Sequence, residues 1–261
     1  MRRTLTAVLT AVLPILLTAT CSVKEDRGDC PCLLTVDTQE AVEGDMVLNI
    51  VHQAEGIVCQ EEIGSYQGSF SAEVPKGVVC VTAFGNYEGW EISADGLQIS
   101  LSEGLEPGRI YAHSDLVECY GEKAWDSIVM YKQWCTLTVV LDAAGNWEDS
   151  SFTLEGKWNG FLVEDFSATA GSFSCPMALT SEGTVEARVT RQGDDSLVIR
   201  ISQDGQTDRL RAVGKAMAEA GYNWSAPSLD DATVLLSDCA VEVDLNASDW
   251  VVGDNDENPV I

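Results

Sequence analysis

The sequence predicts an all-β protein of two sandwiches with one short helix in the second, and three observations carry that expectation. Apolar residues alternate with polar ones at period two in the later half. Short β-branched runs are punctuated by Gly, Asn, Asp and Pro from Leu33 onward. A single segment alone carries helical spacing.

Met46 to His52 and Val78 to Phe84 are compact apolar runs of strand length, and Gly85-Asn86 and Glu88-Gly89 mark turns after the second. Ile128 to Leu141 is the longest run, closed by Gly145-Asn146. Val185, Ala187 and Val189 share one face while Glu186 and Arg188 take the other; Leu197, Ile199 and Ile201 repeat the scheme. Val241, Val243 and Leu245 are expected to face inward, with Glu242, Asp244 and Asn246 outward. Period two means strands with one wet face, as in a sandwich. Asp204-Gly205 is a hairpin-type turn. From Asp208 to Ala220, Leu210, Val213 and Met217 fall on one helical face and Gly221 supplies the left-handed stop, which predicts a helix across a sandwich edge.

A chain of 261 residues accommodates two domains of sandwich size. A polar break at Gly121 to Ala124 sets the expected cut. The resulting division is a signal peptide over 1–20, a lipidated tether over 21–32, an N-terminal sandwich over 33–123, a C-terminal sandwich over 124–252 and an acidic tail over 253–261. With 15 Lys and Arg against 42 Asp and Glu, the formal charge is −27. Such a surface repels phosphate backbones within the Debye length and has no basic patch for anionic lipid, so nucleic-acid partners are excluded. At 45% hydrophobic residues the chain still builds a core rather than staying disordered.

The start, Met1-Arg2-Arg3-Thr4 followed by an uncharged apolar run through Leu17, reads as a secretory signal, too short to span a bilayer. Its exit, Leu17-Thr18-Ala19-Thr20-Cys21, resembles a bacterial lipobox, with Thr20 standing where a smaller residue is usual. Acyl chains on Cys21 would anchor an acidic protein that charge cannot hold, at about 0.8 kcal/mol per buried methylene. The polar stretch Ser22 to Asp29 then serves as a tether.

Of nine cysteines, eight remain beside Cys21: Cys30, Cys32, Cys59, Cys80, Cys119, Cys135, Cys175 and Cys239. In an exported chain they are candidate disulfide cysteines, and spacing does not choose among their pairings. Those within apolar runs, such as Cys80 in Val78-Val79-Cys80-Val81, read equally as small buried hydrophobes.

No enzymatic motif is legible: there is no Gly-x-Ser-x-Gly, no His-Glu-x-x-His and no phosphate-cradling loop. His52 and His113 stand in unrelated stretches. Pairs such as Glu61-Glu62, Asp194-Asp195 and Asp230-Asp231 are expected by chance in so acidic a chain. Asp254-x-Asp256-x-Asn258 begins like a calcium loop, but Pro259 occupies the glycine position. The expectation is a protein that is not an enzyme, with no catalytic residues, cofactor, metal or small-molecule substrate.

Cys21-Ser22-Val23-Lys24-Glu25-Asp26 followed by Cys30-Pro31 resembles the start of fimbrial anchor lipoproteins of the FimB/Mfa type. Ala220-Gly221-Tyr222-Asn223-Trp224, running into Leu229-Asp230-Asp231 and a strand at Thr233 to Leu236, is similar to the second domain of that family, with Trp250 near the closing strand. The resemblance implies two tandem transthyretin-like sandwiches in a lipoprotein exposed on the cell outer membrane. It implies an anchor or accessory subunit that joins a fimbrial shaft subunit, the pilin, through strand-type pairing. Two other readings stand beside it: a surface lipoprotein binding carbohydrate on exposed aromatics such as Trp90, Trp147 or Trp158, and a tip adhesin.

Overall fold

The computed structural model describes residues 30–39, 45–64, 68–143, 145, 147, 149–180, 183–237 and 241–244. The signal, Cys21, Cys239, the inward placement of Leu245, Trp250 and the acidic tail lie outside the described residues. The chain runs through β1 (Cys32–Asp37), β2 (Asp45–His52), β3 (Gly56–Gly64), β4 (Ser69–Val74) and β5 (Val78–Gly85), then the short hairpin β6 (Glu91–Ile92) and β7 (Gln98–Ser100). It continues as β8 (Tyr111–Glu118), β9 (Lys123–Ser127), β10 (Tyr131–Lys132), β11 (Trp134–Leu141), β12 (Ser150–Leu162), β13 (Ala168–Pro176), β14 (Ala178–Leu179), β15 (Thr184–Thr190), β16 (Val198–Gln203) and β17 (Arg209–Arg211). Helix α1 (Val213–Glu219), β18 (Ala232–Leu236) and β19 (Val241–Asp244) complete it. The fold is all-β, of β-sandwich type, as the alternation requires.

A three-stranded sheet of order β4-β1-β9 faces a five-stranded sheet of order β10-β8-β5-β2-β3. Leu34 and Val36 of the first meet Leu48, Ile50, Val79 and Val81 of the second in one core. A larger core lies between the sheet β14-β15-β11-β18-β19 and the sheet β17-β16-β12-β7-β6, to which β13 adds along β12. Val185, Ala187, Val189, Leu197, Ile199 and Ile201 are all buried there, as their period-two spacing predicts. The unbroken apolar runs β2 and β5 have a different cause. Their sheet is covered on both faces: Leu48 and Ala83 point into the smaller core, while their neighbours Val47 and Phe84 join the larger one.

Two boundaries differ from expectation. The cut at residues 123 and 124 runs through β9, which pairs in parallel with β1 (Thr35 opposite Trp125), so the chain stays with the first pair of sheets. It passes to the second only at Gln133, inside the long apolar run: Tyr131 and Lys132 pair with β8, whereas Trp134 to Val140 pair with β15. In the other direction, β6 and β7 leave the first half and extend the second half's sheet, Phe161 opposite Ile99. Gly160 permits this approach, because a Cβ there would lie 2.0 Å from the Ile99 carbonyl oxygen.

The expected helix over 208–220 is shorter. Arg209 to Arg211 form β17 against β16, and Leu210 is exposed. The helix proper buries Val213 and Met217, and Gly221 ends it at φ +90° as predicted. Gly214 donates its N–H to the Leu197 carbonyl at 2.8 Å, where a side chain would collide with the backbone of Asp195 and Leu197. That tight seat fixes where the helix begins.

Candidate functional site

His52, His113 and Asp231 take structural posts. His52 Nδ1 accepts the N–H groups of Ala54 and Glu55 at 3.2 Å each, closing the turn between β2 and β3. His113 is buried against Asp126. Asp231 accepts from Lys132 Nζ at 2.6 Å and from the Thr136 N–H at 2.5 Å. No group of three or more His, Cys, Asp or Glu among the described residues is placed to hold a metal ion. Cys32, Cys59, Cys80, Cys119, Cys135 and Cys175 are free thiols, as is the exposed Cys30, and five of the seven are buried.

The three tryptophans proposed as platforms part company. Trp90 is 8% exposed and packs edge-on against Phe161 at 6.2 Å. Trp147 donates its indole N–H to the Asp142 carbonyl and is covered by Phe152 and the Arg209 guanidinium. Both therefore belong to packing, and sequence could not separate them from a platform because a tryptophan's burial depends on distant strands. Trp158 lines a cleft.

That cleft has a volume of about 610 Å³ and is built from four separate stretches of chain. Trp158 sits on β12 between two register shifts in the pairing with β13, irregularities that turn a side chain out of its regular path. One side of its indole rests on Gly193, where a Cβ would come within 2.7 Å of Cζ2. Phe166 occupies the loop joining β12 to β13 at φ +56°, a conformation bulky residues seldom adopt and one that costs on the order of 1–3 kcal/mol. Its turn is closed by Asp165 Oδ1, which accepts the Ser167 N–H at 2.9 Å. Tyr222 and Trp224 also line the cleft, their ring centres 4.5 Å apart and their planes tilted by 58°, with Asn223 between them in sequence.

Arg191 is the keystone of the 224–227 segment. It is 1% exposed, and no carboxylate among the described residues pairs with it. Its guanidinium donates instead to Gln133 Oε1 at 2.6 Å and to the carbonyls of Trp224, Ala226 and Pro227 at 2.6–2.7 Å. It lies 5.2 Å from the centre of the Phe166 ring. Burial lowers its pKa to about 10, so it remains a cation at neutral pH. The adjoining Gln192 is anchored through Nε2 to the carbonyls of Trp158, Thr190 and Arg191. Its Oε1, like Trp224 Nε1, is buried without a hydrogen-bond partner among the described residues. Asp165, Asp194 and Asp195 supply three carboxylates to the lining. Ser196, through its hydroxyl and N–H, holds the Asp194 carboxyl below the usual range, so it is ionised.

In the sequence Tyr222 and Trp224 stand out as part of a motif rather than as a site, and Phe166 and Arg191 do not stand out as site residues. An arginine following the apolar run of β15 was the available signal.

Edges are the second functional feature. β9 closes one side of the three-stranded sheet and presents Trp125, 63% exposed, beside the half-exposed Leu33 of β1. β19 closes another sheet at the start of the C-terminal segment.

No protein-family model matches the chain, and no curated protein matches it. Solved structures do share its fold. The fimbrial anchor protein Mfa2 from Porphyromonas gingivalis is 13% identical, with a TM-score of 0.59 over 82% of this chain and 95% of that one. A candidate polysaccharide-binding protein from Bacteroides thetaiotaomicron is 11% identical, with a TM-score of 0.61 over 81% and 95%. A candidate adhesin from Bacteroides ovatus is 8% identical, with a TM-score of 0.58 over 84% and 94%. The likeness is one of fold and spans nearly the whole length of each.

Proposed function

We propose that this protein is an outer-membrane lipoprotein that serves as the anchor or accessory subunit of a surface fimbria. It is held by acyl chains on Cys21 and joined to a pilin by strand pairing. The observation that carries this reading is the shared architecture with Mfa2, which extends over 95% of that fimbrial anchor rather than over one sandwich. The edges at β9 and β19, unpaired on their outer side among the described residues, suit it, since an added strand would satisfy backbone N–H and C=O groups there and place alternate side chains against the sheet. A strongly acidic chain of sandwich type suits a structural part of the envelope.

Replacing Cys21 by Ala tests the proposal. The variant is expected to leave the membrane fraction and to shed fimbriae into the medium. Retention of both the variant and the fibres at the membrane overturns it.

A further inference from the structure

None of the residues lining the cleft between Trp158 and Trp224 belongs to β9 or β19, the edges suited to strand pairing, and the construction of the cleft asks for a ligand. From it we infer that the protein carries a binding site for an uncharged saccharide of one or two pyranose rings. Four aromatic side chains, Trp158, Phe166, Tyr222 and Trp224, line one space, beside Ala168 at the start of β13. Its volume of about 610 Å³ falls in the range of small-molecule sites, roughly 300–1,000 Å³.

Three observations choose the ligand class. The first is the set of orphaned polar atoms on lining residues, an acceptor at Gln192 Oε1 and indole donors at Trp158 Nε1 and Trp224 Nε1. Gln192 is 4% exposed and its amide cannot rotate to relieve the oxygen, because Nε2 is committed to three carbonyls. A hydroxyl both donates and accepts and so serves either kind of atom, whereas an ammonium or guanidinium only donates. The second is the mixture of flat apolar rings with short polar groups, Asn223, Ser225 and Ser167, at the same opening. A pyranose offers an apolar C–H face and an equatorial ring of hydroxyls, and it meets both surfaces at once. The third is charge. The lining carries Asp165, Asp194 and Asp195 but no Lys or Arg, and the donors of the buried Arg191 go to protein carbonyls and Gln133. Uronic, sialylated, sulfated or phosphorylated sugars are therefore repelled, while neutral hydroxyls gain strong carboxylate acceptors.

The strain at Phe166 fits this use. The backbone at φ +56° carries a ring that lies between Arg191, 5.2 Å away, and Tyr131, 6.3 Å away.

The experiment is a printed array of neutral and acidic glycans probed with the intact soluble protein, followed by titration of the best neutral glycan by tryptophan fluorescence. Two variants accompany it: Trp158→Ala removes a stacking face, and Asp195→Asn changes only an exposed carboxylate and keeps the fold. The inference expects binding to neutral glycans, silence from acidic ones, and a loss of affinity of about tenfold in each variant. Neutral glycans that fail to bind overturn it, as does binding that both variants leave unchanged. Preference for acidic glycans overturns it too, as does a cleft that retains a pilin peptide instead of a sugar. None of these outcomes depends on whether Cys21 carries lipid, so the anchor reading stands or falls separately.

Discussion

His113 on β8 and Asp126 on β9 meet across the two sheets of the first sandwich, Nε2 to Oδ2 at 3.4 Å, with side chains 4% and 5% exposed. Nδ1 faces both the Val129 N–H at 3.1 Å and the Val129 carbonyl at 3.2 Å, while Nε2 faces a carboxylate oxygen, which accepts, and so donates to it. The other carboxylate oxygen accepts the Ser127 N–H at 2.8 Å. The imidazole thus supplies the side-chain donor for a buried anion. Replacing His113 by Ala strands that anion and is expected to lower stability by about 2–3 kcal/mol, read from the urea midpoint. Asp126→Asn, which keeps an oxygen acceptor for the ring, is expected to cost less. Equal losses would show that the pair acts only through volume.

Arg191 makes a stronger demand. Arg191→Leu leaves the carbonyls of Trp224 and Ala226 and the Gln133 amide oxygen without this donor, and leaves the Pro227 carbonyl to Gln133 Nε2 alone. A loss of about 3–5 kcal/mol is expected, with a shift in tryptophan emission as the 222–227 segment loosens. Arg191→Lys brings one point donor to a forked site and recovers only part of this. A leucine variant with native stability and emission would show that the segment is held by something other than the guanidinium.

Much of this arrangement was legible in the sequence, and the reason is local. Val185, Ala187 and Val189, or Leu197, Ile199 and Ile201, announce a buried face because a strand's side chains alternate whatever they pack against. Gly221 announces a helix end for a comparable reason. What escaped notice depends on contacts between distant segments. Nothing near Gly160 reveals that β7 will lie against it, and nothing near Gln133 reveals that an apolar run changes sheets there. The cleft is the extreme case, since Trp158, Phe166, Arg191 and Trp224 come from four segments and have no common spacing. Leu210 misled because helical spacing and a short amphipathic strand coincide over three residues.

Stability should fall at alkaline pH, and the thiols give the sign. Burial pushes Cys135 and Cys175 up to about 12, and burial together with the neighbouring Cys32 pushes Cys119 up to about 11, from an ordinary 9.0. Above pH 9 the unfolded chain releases these protons while the folded chain keeps them. Their contribution is therefore whole below pH 9 and disappears as pH climbs toward 11–12, at about 1.4 kcal/mol per pH unit for each thiol. Denaturation in reducing buffer from pH 8 to 11 measures the slope. The double variant Cys135→Ala, Cys175→Ala is expected to flatten it, and an unchanged slope would assign the alkaline loss to other groups.

Cys32 and Cys119 are the two cysteines whose thiols hydrogen-bond to each other, and both are fully buried in the smaller core. Cys32 opens β1 in one sheet, and Cys119 follows β8 in the facing one. Of the many pairings open to an exported chain, this one joins residues already in contact. Refolding from urea in oxidised glutathione is expected to convert the two thiols into one disulfide, two glutathione thiols leaving per bond formed, with Cys135 and Cys175 still reduced. Closing so long a loop should raise stability by about 4 kcal/mol in the chain-entropy account. It would also tie β1, the central strand of the three-stranded sheet, to the sheet opposite, so an incoming strand could not displace it. Peptide mapping without reductant reads the outcome. A Cys32 that stays alkylatable after oxidative refolding, or that is found joined to Cys30 or Cys59, would remove that constraint and leave β1 held by pairing with β4 and β9 alone.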